Sequence, residues 1–109
     1  MRRSVIVAAL LLLPVPGLGN PYPTETVADY VIGCMAANGQ TQTALRQCAC
    51  SIDAIASVLP FDVYERADTV LRMRQAGGAS AGLFRETPVL NDTVDRLRQA
   101  QVEADFRCF

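Results

Sequence analysis

Apolar side chains recur every three or four positions through most of the chain after residue 20, which is the spacing of one face of an α-helix. No segment alternates apolar and polar residues in the period-two pattern of a half-buried β-strand. Proline, glycine and asparagine separate the periodic stretches, and these residues often end a helix. The pattern therefore predicts an all-α fold, a small bundle of about four helices with short connections.

The first two periodic stretches predict a helical hairpin. Thr24 is the expected N-terminal cap of the first helix, which ends at Asn38 and Gly39 because both residues tolerate a left-handed backbone. Thr41 or Thr43 is expected to cap the second helix, and a proline ends it. The predicted core face of this second helix consists of Leu45, Cys48, Ala49, Ile52, Ile55, Ala56 and Leu59.

The second half of the chain predicts two more helices. The third is expected to start at Asp62, with Glu65 three residues later in the spacing of a capping box. Residues 79–86 are predicted to form a loop or short turn from which Leu83 and Phe84 reach into the core. The predicted core face of the last helix carries Leu90, Val94, Leu97, Gln101, Ala104 and Cys108.

The N-terminus has the three-part layout of a secretory signal peptide. Two arginines follow Met1, an unbroken apolar run covers residues 5–13, and small residues precede Asn20. The run is about half of the roughly 20 apolar residues that a transmembrane helix needs, although an uncleaved anchor is the alternative. We therefore expect residues 1–19 to be the signal peptide and residues 20–109 to form a single helical domain.

Composition narrows the chemistry that this domain can perform. The chain has 109 residues, of which 50% are hydrophobic, and this is enough apolar material for a folded core. It has no histidine, so the commonest general base and zinc ligand is missing. Neither a G-x-S-x-G motif nor a glycine-rich phosphate loop is present. These observations predict a protein that is not an enzyme.

Charge and residue usage bear on compartment and partners. The formal net charge is −1, and cleavage would remove two arginines and make the mature chain more acidic. An acidic chain lacks the basic footprint of a nucleic-acid-binding protein, so we expect no nucleic-acid partner. All ten basic residues are arginine, and the chain is rich in alanine, which is typical of GC-rich bacterial genomes. The expected location is the periplasm, without membrane contact after cleavage.

The four cysteines predict two disulfides, because their number is even and exported thiols are oxidised. They are Cys34, Cys48, Cys50 and Cys108. Cys48 and Cys50 lie two positions apart on one helix and point about 200° apart, so each needs a different partner. Cys34 and Cys48 come opposite one another in the predicted hairpin. This favours Cys34–Cys48 with Cys50–Cys108, while the crossed pairing, Cys34–Cys50 with Cys48–Cys108, stays open.

The sequence Cys48-Ala49-Cys50 also allows a different function, that of a thiol–disulfide redox protein. Arg46 is close enough along the helix to favour a thiolate at such a pair. A structural role is the favoured interpretation, because both cysteines have an expected disulfide partner and because no thioredoxin-like alternation of strands and helices surrounds them.

Most acidic residues precede an arginine by about one helical turn, which predicts solvated ion pairs on helix surfaces. These pairs are Asp62–Arg66, Asp68–Arg72, Asp92–Arg96, Glu103–Arg107 and, one residue closer, Asp95–Arg98. Glu25 and Asp29 are one turn apart with no base on their own face, so a hard cation would offset their repulsion. They form the first candidate metal site, for a lanthanide or calcium, and Glu65 with Asp68 forms the second choice. Water or a metal-mediated dimer would complete the coordination.

Three stretches carry a resemblance to a known group of proteins. The stretches are Cys34-Met35-Ala36-Ala37-Asn38-Gly39, Cys48-Ala49-Cys50-Ser51-Ile52-Asp53 and Arg107-Cys108-Phe109. They resemble small periplasmic four-cysteine helical proteins of methylotrophic bacteria, including landiscernin-like lanthanide-handling proteins. The resemblance implies a non-enzymatic protein that binds a trivalent hard cation at exposed carboxylates and works with periplasmic proteins of alcohol oxidation. It assigns no ligand residues. A further interpretation is a structural module that docks on a larger periplasmic enzyme.

Overall fold

The computed structural model describes residues 19–78 and 81–109, and these two ranges contain five α-helices and no β-strand. The helices are α1 (Thr24–Asn38), α2 (Gln42–Val58), α3 (Phe61–Ala76), α4 (Ala81–Glu86) and α5 (Pro88–Cys108). The all-α prediction is therefore confirmed. The signal peptide predicted over residues 1–19 lies, apart from Gly19, outside the described residues. None of the described helices is both long and apolar enough to cross a membrane.

The α1–α2 hairpin forms as predicted, although its two helices begin differently. Gly39 has a φ of +108°, which favours glycine, and it ends α1. The Thr41 hydroxyl accepts a hydrogen bond from the backbone N–H of Ala44 at 3.0 Å and caps α2. Pro23, without a side-chain bond, takes the N-cap position of α1. The predicted Thr24 cap is wrong because Thr24 is already a helical residue.

The start of α3 also depends on a proline. Pro60 is the N-cap, and its carbonyl accepts the N–H groups of Val63 and Tyr64. The predicted capping box is wrong because the helix already includes Phe61, which places Asp62 inside the first turn instead of before it. An acidic residue there still complements the positive end of the helix dipole.

Short helix α4 occupies most of the segment that the sequence predicted as a loop or turn. Arg74 of α3 fixes it, because its guanidinium donates to the carbonyl of Phe84 at 2.7 Å and to the side chain of Asn91 on α5. Phe84 is half-buried, but Leu83 is 65% exposed, so the predicted burial of Leu83 is wrong. The small side chain of Ala81 packs inward from α4 instead.

The core lies where α2, α3 and α5 meet, and Ile52 and Ile55 at its centre are fully buried. Leu45 departs from its predicted place, since it is 38% exposed while Ala44 is buried one position away. The buried residues of the core cluster are Tyr22, Ile52, Ile55, Leu59, Val63, Tyr64, Ala67, Leu97, Ala100 and Ala104.

The segment before α1 is attached to α2 by side-chain hydrogen bonds. Asn20 donates to the carboxylate of Asp53 at 2.8 Å and to the carbonyl of Ile52 at 3.2 Å. The hydroxyl of Tyr22 donates to the carbonyl of Leu59 at the far end of α2. Asp53 therefore helps to hold the chain where the mature protein is predicted to begin.

Two disulfides join the helices in the favoured pairing. Cys34–Cys48 connects α1 to α2, and Cys50–Cys108 connects α2 to the end of α5. The Cα atoms of each pair are 5.8 and 5.7 Å apart, as disulfides require. The prediction is confirmed, and the crossed alternative does not occur. Both disulfides involve a cysteine of α2, and these two cysteines lie on opposite sides of the helix. Helix α2 is therefore covalently linked to both α1 and α5.

Candidate functional site

An open groove lies between α1 and α3 and extends to the end of α5. It consists of two adjoining hollows of about 630 and 620 Å³ that share Asp29, Tyr64, Asp68 and Arg72 as walls. We call it the acidic groove and define it by its charged residues. These are Glu25 and Asp29 on α1, Glu65, Asp68 and Arg72 on α3, and Asp105 on α5.

Helical spacing explains how these side chains come to line one groove. Glu25 and Asp29 are one turn apart on α1, and Glu65 and Asp68 are three positions apart on α3, so each pair shares a helix face. The two faces lie across the groove from one another. The first and second candidate metal pairs of the sequence therefore line the same groove, which the sequence did not predict.

Arg72 bridges the two walls of the groove. Its Nη2 lies 2.6 Å from Oδ2 of Asp29, and its Nε lies 2.8 Å from Oδ2 of Asp68. Hydrogen bonds and charge from both carboxylates, Asp68 first, raise the pKa of Arg72 above its ordinary value. The base that Asp29 lacks on its own helix thus comes from α3. Because these side chains are largely exposed, water screens their attraction, and we assign it little stabilisation.

The remaining acidic side chains of the groove are less constrained. Among the described residues, Glu25, Glu65 and Asp105 take part in no ion pair and no side-chain hydrogen bond within the structure. In the same part of the chain, no three histidine, cysteine, aspartate or glutamate side chains converge closely enough to hold a metal ion. The groove therefore concentrates negative charge without a complete set of protein ligands at one point.

Two tyrosines form the uncharged part of the groove wall. The hydroxyl of Tyr30 shares a hydrogen bond of 2.8 Å with that of Ser51, which is buried. Burial raises the pKa of Tyr30 and of Tyr64, and the nearby carboxylate of Asp68 raises that of Tyr64 further. Both phenols thus stay neutral at ordinary pH, and the anionic oxygens of the groove belong to its carboxylates.

Tyrosine ionisation gives a test of this packing, because all three tyrosines of the chain have raised pKa values. Burial raises the pKa of Tyr22 from 10.0 to about 12. A folded pKa above the unfolded one means that the stabilisation is complete below pH 10 and is lost as pH rises toward 12. We expect little tyrosinate absorbance at pH 10 in the folded protein, and unfolding that coincides with ionisation above it.

The measurement is a pH titration that follows tyrosinate absorbance and helical circular dichroism in the same sample. A Tyr22→Phe variant is the control, since it should remove one of the three titrating groups and leave the other two. Half-complete ionisation at pH 10 with the helical signal unchanged would contradict the prediction.

Outside the groove, the predicted ion pairs form in part. Asp62–Arg66 and Glu103–Arg107 have N–O distances of 3.1 and 2.7 Å. The predicted pairs Asp92–Arg96 and Asp95–Arg98 are absent from the described ranges, although all four residues lie in α5 and are exposed. Their charged groups are therefore available to solvent or to another molecule.

Several groove residues carry no recognisable signal in the amino-acid sequence. Tyr30 and Tyr64 follow the helical periodicity of their elements, but their contact with the groove depends on how α1 and α3 are arranged in space. Asp105 comes from the last helix, and only the Cys50–Cys108 disulfide suggested that this end of α5 lies close to the others. Comparison with protein families, curated proteins and solved structures yields no match for this chain.

Proposed function

We propose that this chain is an exported, non-enzymatic binding protein that presents the acidic groove to a hard cation, a lanthanide or calcium. The observation that carries the proposal is the presence of Glu25, Asp29, Glu65 and Asp68 in one open groove with a single arginine. Carboxylate oxygens are the ligands that hard cations take. Two disulfides suit the oxidising compartment of the proposed location, the periplasm, where a signal peptide would direct the chain.

The role of Arg72 follows from its position between two carboxylates. Its guanidinium holds Asp29 and Asp68 together, as a bound cation would. An incoming ion first meets the carboxylates of Glu25 and Glu65 and then competes with Arg72 for the other two. Water fills the remaining coordination positions of the ion, since the groove is open. A site of this kind suits an ion that is passed to a periplasmic protein partner, as the resemblance to lanthanide-handling proteins suggests.

The proposal predicts opposite effects for two changes in the groove. Glu25→Gln together with Asp29→Asn should weaken terbium binding by at least roughly tenfold, because two ligand charges are lost. Arg72→Gln should strengthen it by roughly tenfold, because it removes the competing cation and frees two carboxylates. Titration of the mature, disulfide-bonded protein with terbium measures both, since a tyrosine beside the groove can transfer excitation to the bound ion.

The matched control is Glu86→Gln with Asp92→Asn, which removes the same charge from α4 and α5 away from the groove. Its affinity should stay that of the wild type. Absence of saturable binding at micromolar terbium would refute the cation proposal, and equal affinity in the groove and control variants would refute the groove as its site. Calorimetry of the same variants provides an affinity that does not depend on luminescence.

One observation favours the second candidate function, an interaction module. Phe106 near the end of α5 is 88% exposed, and Val102 and Phe109 beside it are also exposed, so neighbouring apolar side chains face solvent together. The thiol-redox alternative receives no comparable support, because Cys48 and Cys50 are both in disulfides and Cys48 is fully buried. Mass spectrometry of the exported protein tests it, since free thiols at both positions would favour redox chemistry.

A further inference from the structure

The solvent face of α5 and its C-cap residue form an apolar stripe, which we define as Val102, Phe106 and Phe109. These residues are four and three positions apart, so they share one helix face, and their exposed fractions are 55, 88 and 52%. The opposite face of the helix is buried in the core through Val94, Leu97, Ala100 and Ala104. The helix is therefore apolar on both sides near its C-terminal end, although only one side is covered.

Two charged residues border this stripe along one edge. Arg98 and Asp105 are seven positions apart, which is two helical turns, so they lie on the same edge of the stripe. Both are exposed, and neither forms an ion pair with a residue in the described ranges. Val102 lies close to the midpoint between them. The edge thus has a positive end and a negative end, with an apolar residue at its centre.

This pattern is complementary to itself. When two copies of α5 pack antiparallel about a point midway between Gln101 and Val102, Arg98 of each copy comes opposite Asp105 of the other. A two-fold axis always pairs residues reciprocally in this way, so one arrangement forms two identical ion pairs. In a parallel two-fold arrangement the charged edges of the two copies would lie on opposite sides of the interface, so neither ion pair would form. The charges therefore select a second copy in the antiparallel direction.

We propose that this protein forms a two-fold symmetric dimer through antiparallel contact of the α5 apolar stripes, with Arg98 and Asp105 pairing across the interface. No metal takes part in this contact, although Asp105 is one of the charged residues of the acidic groove. Three apolar side chains form an interface smaller than the usual 1,600 Å² or so, and we therefore expect a weak dimer. Phe109 and Asp105 also line the acidic groove, so the second copy lies next to it.

The test is sedimentation equilibrium of the mature, disulfide-bonded protein in the presence of a chelator. The wild type should show a concentration-dependent dimer, and Phe106→Asp should be monomeric at the same concentrations. Val89→Asp is the matched control, because Val89 is 73% exposed on the same helix but lies outside the stripe. It should dimerise as the wild type does, and circular dichroism verifies that each variant is folded.

Exchanging the charges tests the direction of packing. Arg98→Asp alone and Asp105→Arg alone should each weaken the dimer about tenfold, because each places like charges opposite one another. The double variant should regain wild-type association, and an equal mixture of the two single variants should form a heterodimer.

Failure of both the double variant and the mixture to regain association would overturn the antiparallel arrangement. A wild type that stays monomeric at millimolar concentration, or a Phe106→Asp variant that still dimerises, would overturn the proposal. If the wild type stays monomeric, the apolar stripe would instead be the binding surface for a different protein partner. Terbium affinity is measured on the wild type and on the Phe106→Asp and Val89→Asp variants, none of which changes a charge of the groove, and this distinguishes failure of the dimer from failure of the cation site.

Discussion

Removal of the Cys50–Cys108 disulfide, by replacing both residues with alanine, is expected to lower the free energy of unfolding by about 4 kcal/mol. The disulfide closes a segment of 58 residues, and a longer closed segment restricts the unfolded chain more. Cys50 is exposed and Cys108 is half-buried, so the substitutions themselves disturb little packing. A domain of this size has a net stability of roughly 5–15 kcal/mol, and the loss is therefore a large share of it.

Guanidinium unfolding followed by circular dichroism measures this loss. The comparison is the double alanine variant of Cys34 and Cys48, whose disulfide spans 14 residues and should contribute about 3 kcal/mol by the same model. That variant also loses packing, because Cys48 is fully buried. A loss below about 1 kcal/mol at Cys50 and Cys108 would contradict the prediction, since it would mean that the unfolded chain is not restrained by this link.

Truncation of Ile55 to alanine is expected to cost about 3–4 kcal/mol, because it leaves a cavity at the centre of the core. The side chain is fully buried between α2, α3 and α5, and neighbours that are themselves held by two disulfides cannot collapse far to fill the space. Thermal or guanidinium unfolding with both disulfides intact measures the effect.

Ile32→Ala is the matched control for this change, since Ile32 is 70% exposed on α1 and its truncation removes the same atoms. It should change the free energy of unfolding by less than about 0.5 kcal/mol. Equal effects at the two positions would show that the core is not packed around Ile55.

The disulfide pairing could be predicted because it follows from local geometry. Cys48 and Cys50 point in opposite directions from one helix, and a glycine turn lies midway between Cys34 and Cys48. These two features leave few possible disulfide pairings. The helix starts were harder, because Thr24 and Asp62 are good capping residues that each follow a proline closely. A proline as N-cap leaves the residue after it free to enter the helix, and the two capping predictions failed for this reason.

Side-chain exposure was the least predictable property. Leu45 and Leu83 both fit the apolar pattern, yet they are 38% and 65% exposed, while the smaller Ala44 and Ala81 close to them in the chain are buried. The candidate site shows the same limit. Each acidic pair could be recognised on its own helix, but the bridge from Arg72 to Asp29 joins residues 43 positions apart and depends on the tertiary arrangement.

The connectivity of the disulfides affects what a single proteolytic cut does to the protein. Gly77 and Gly78, which are exposed and have φ values of +75° and +82°, lie within the segment that Cys50–Cys108 closes. A single cut at this glycine pair therefore does not divide the molecule, because both fragments remain covalently joined through α2 and α5. The disulfide itself holds the end of α5 against α2 in such a nicked chain.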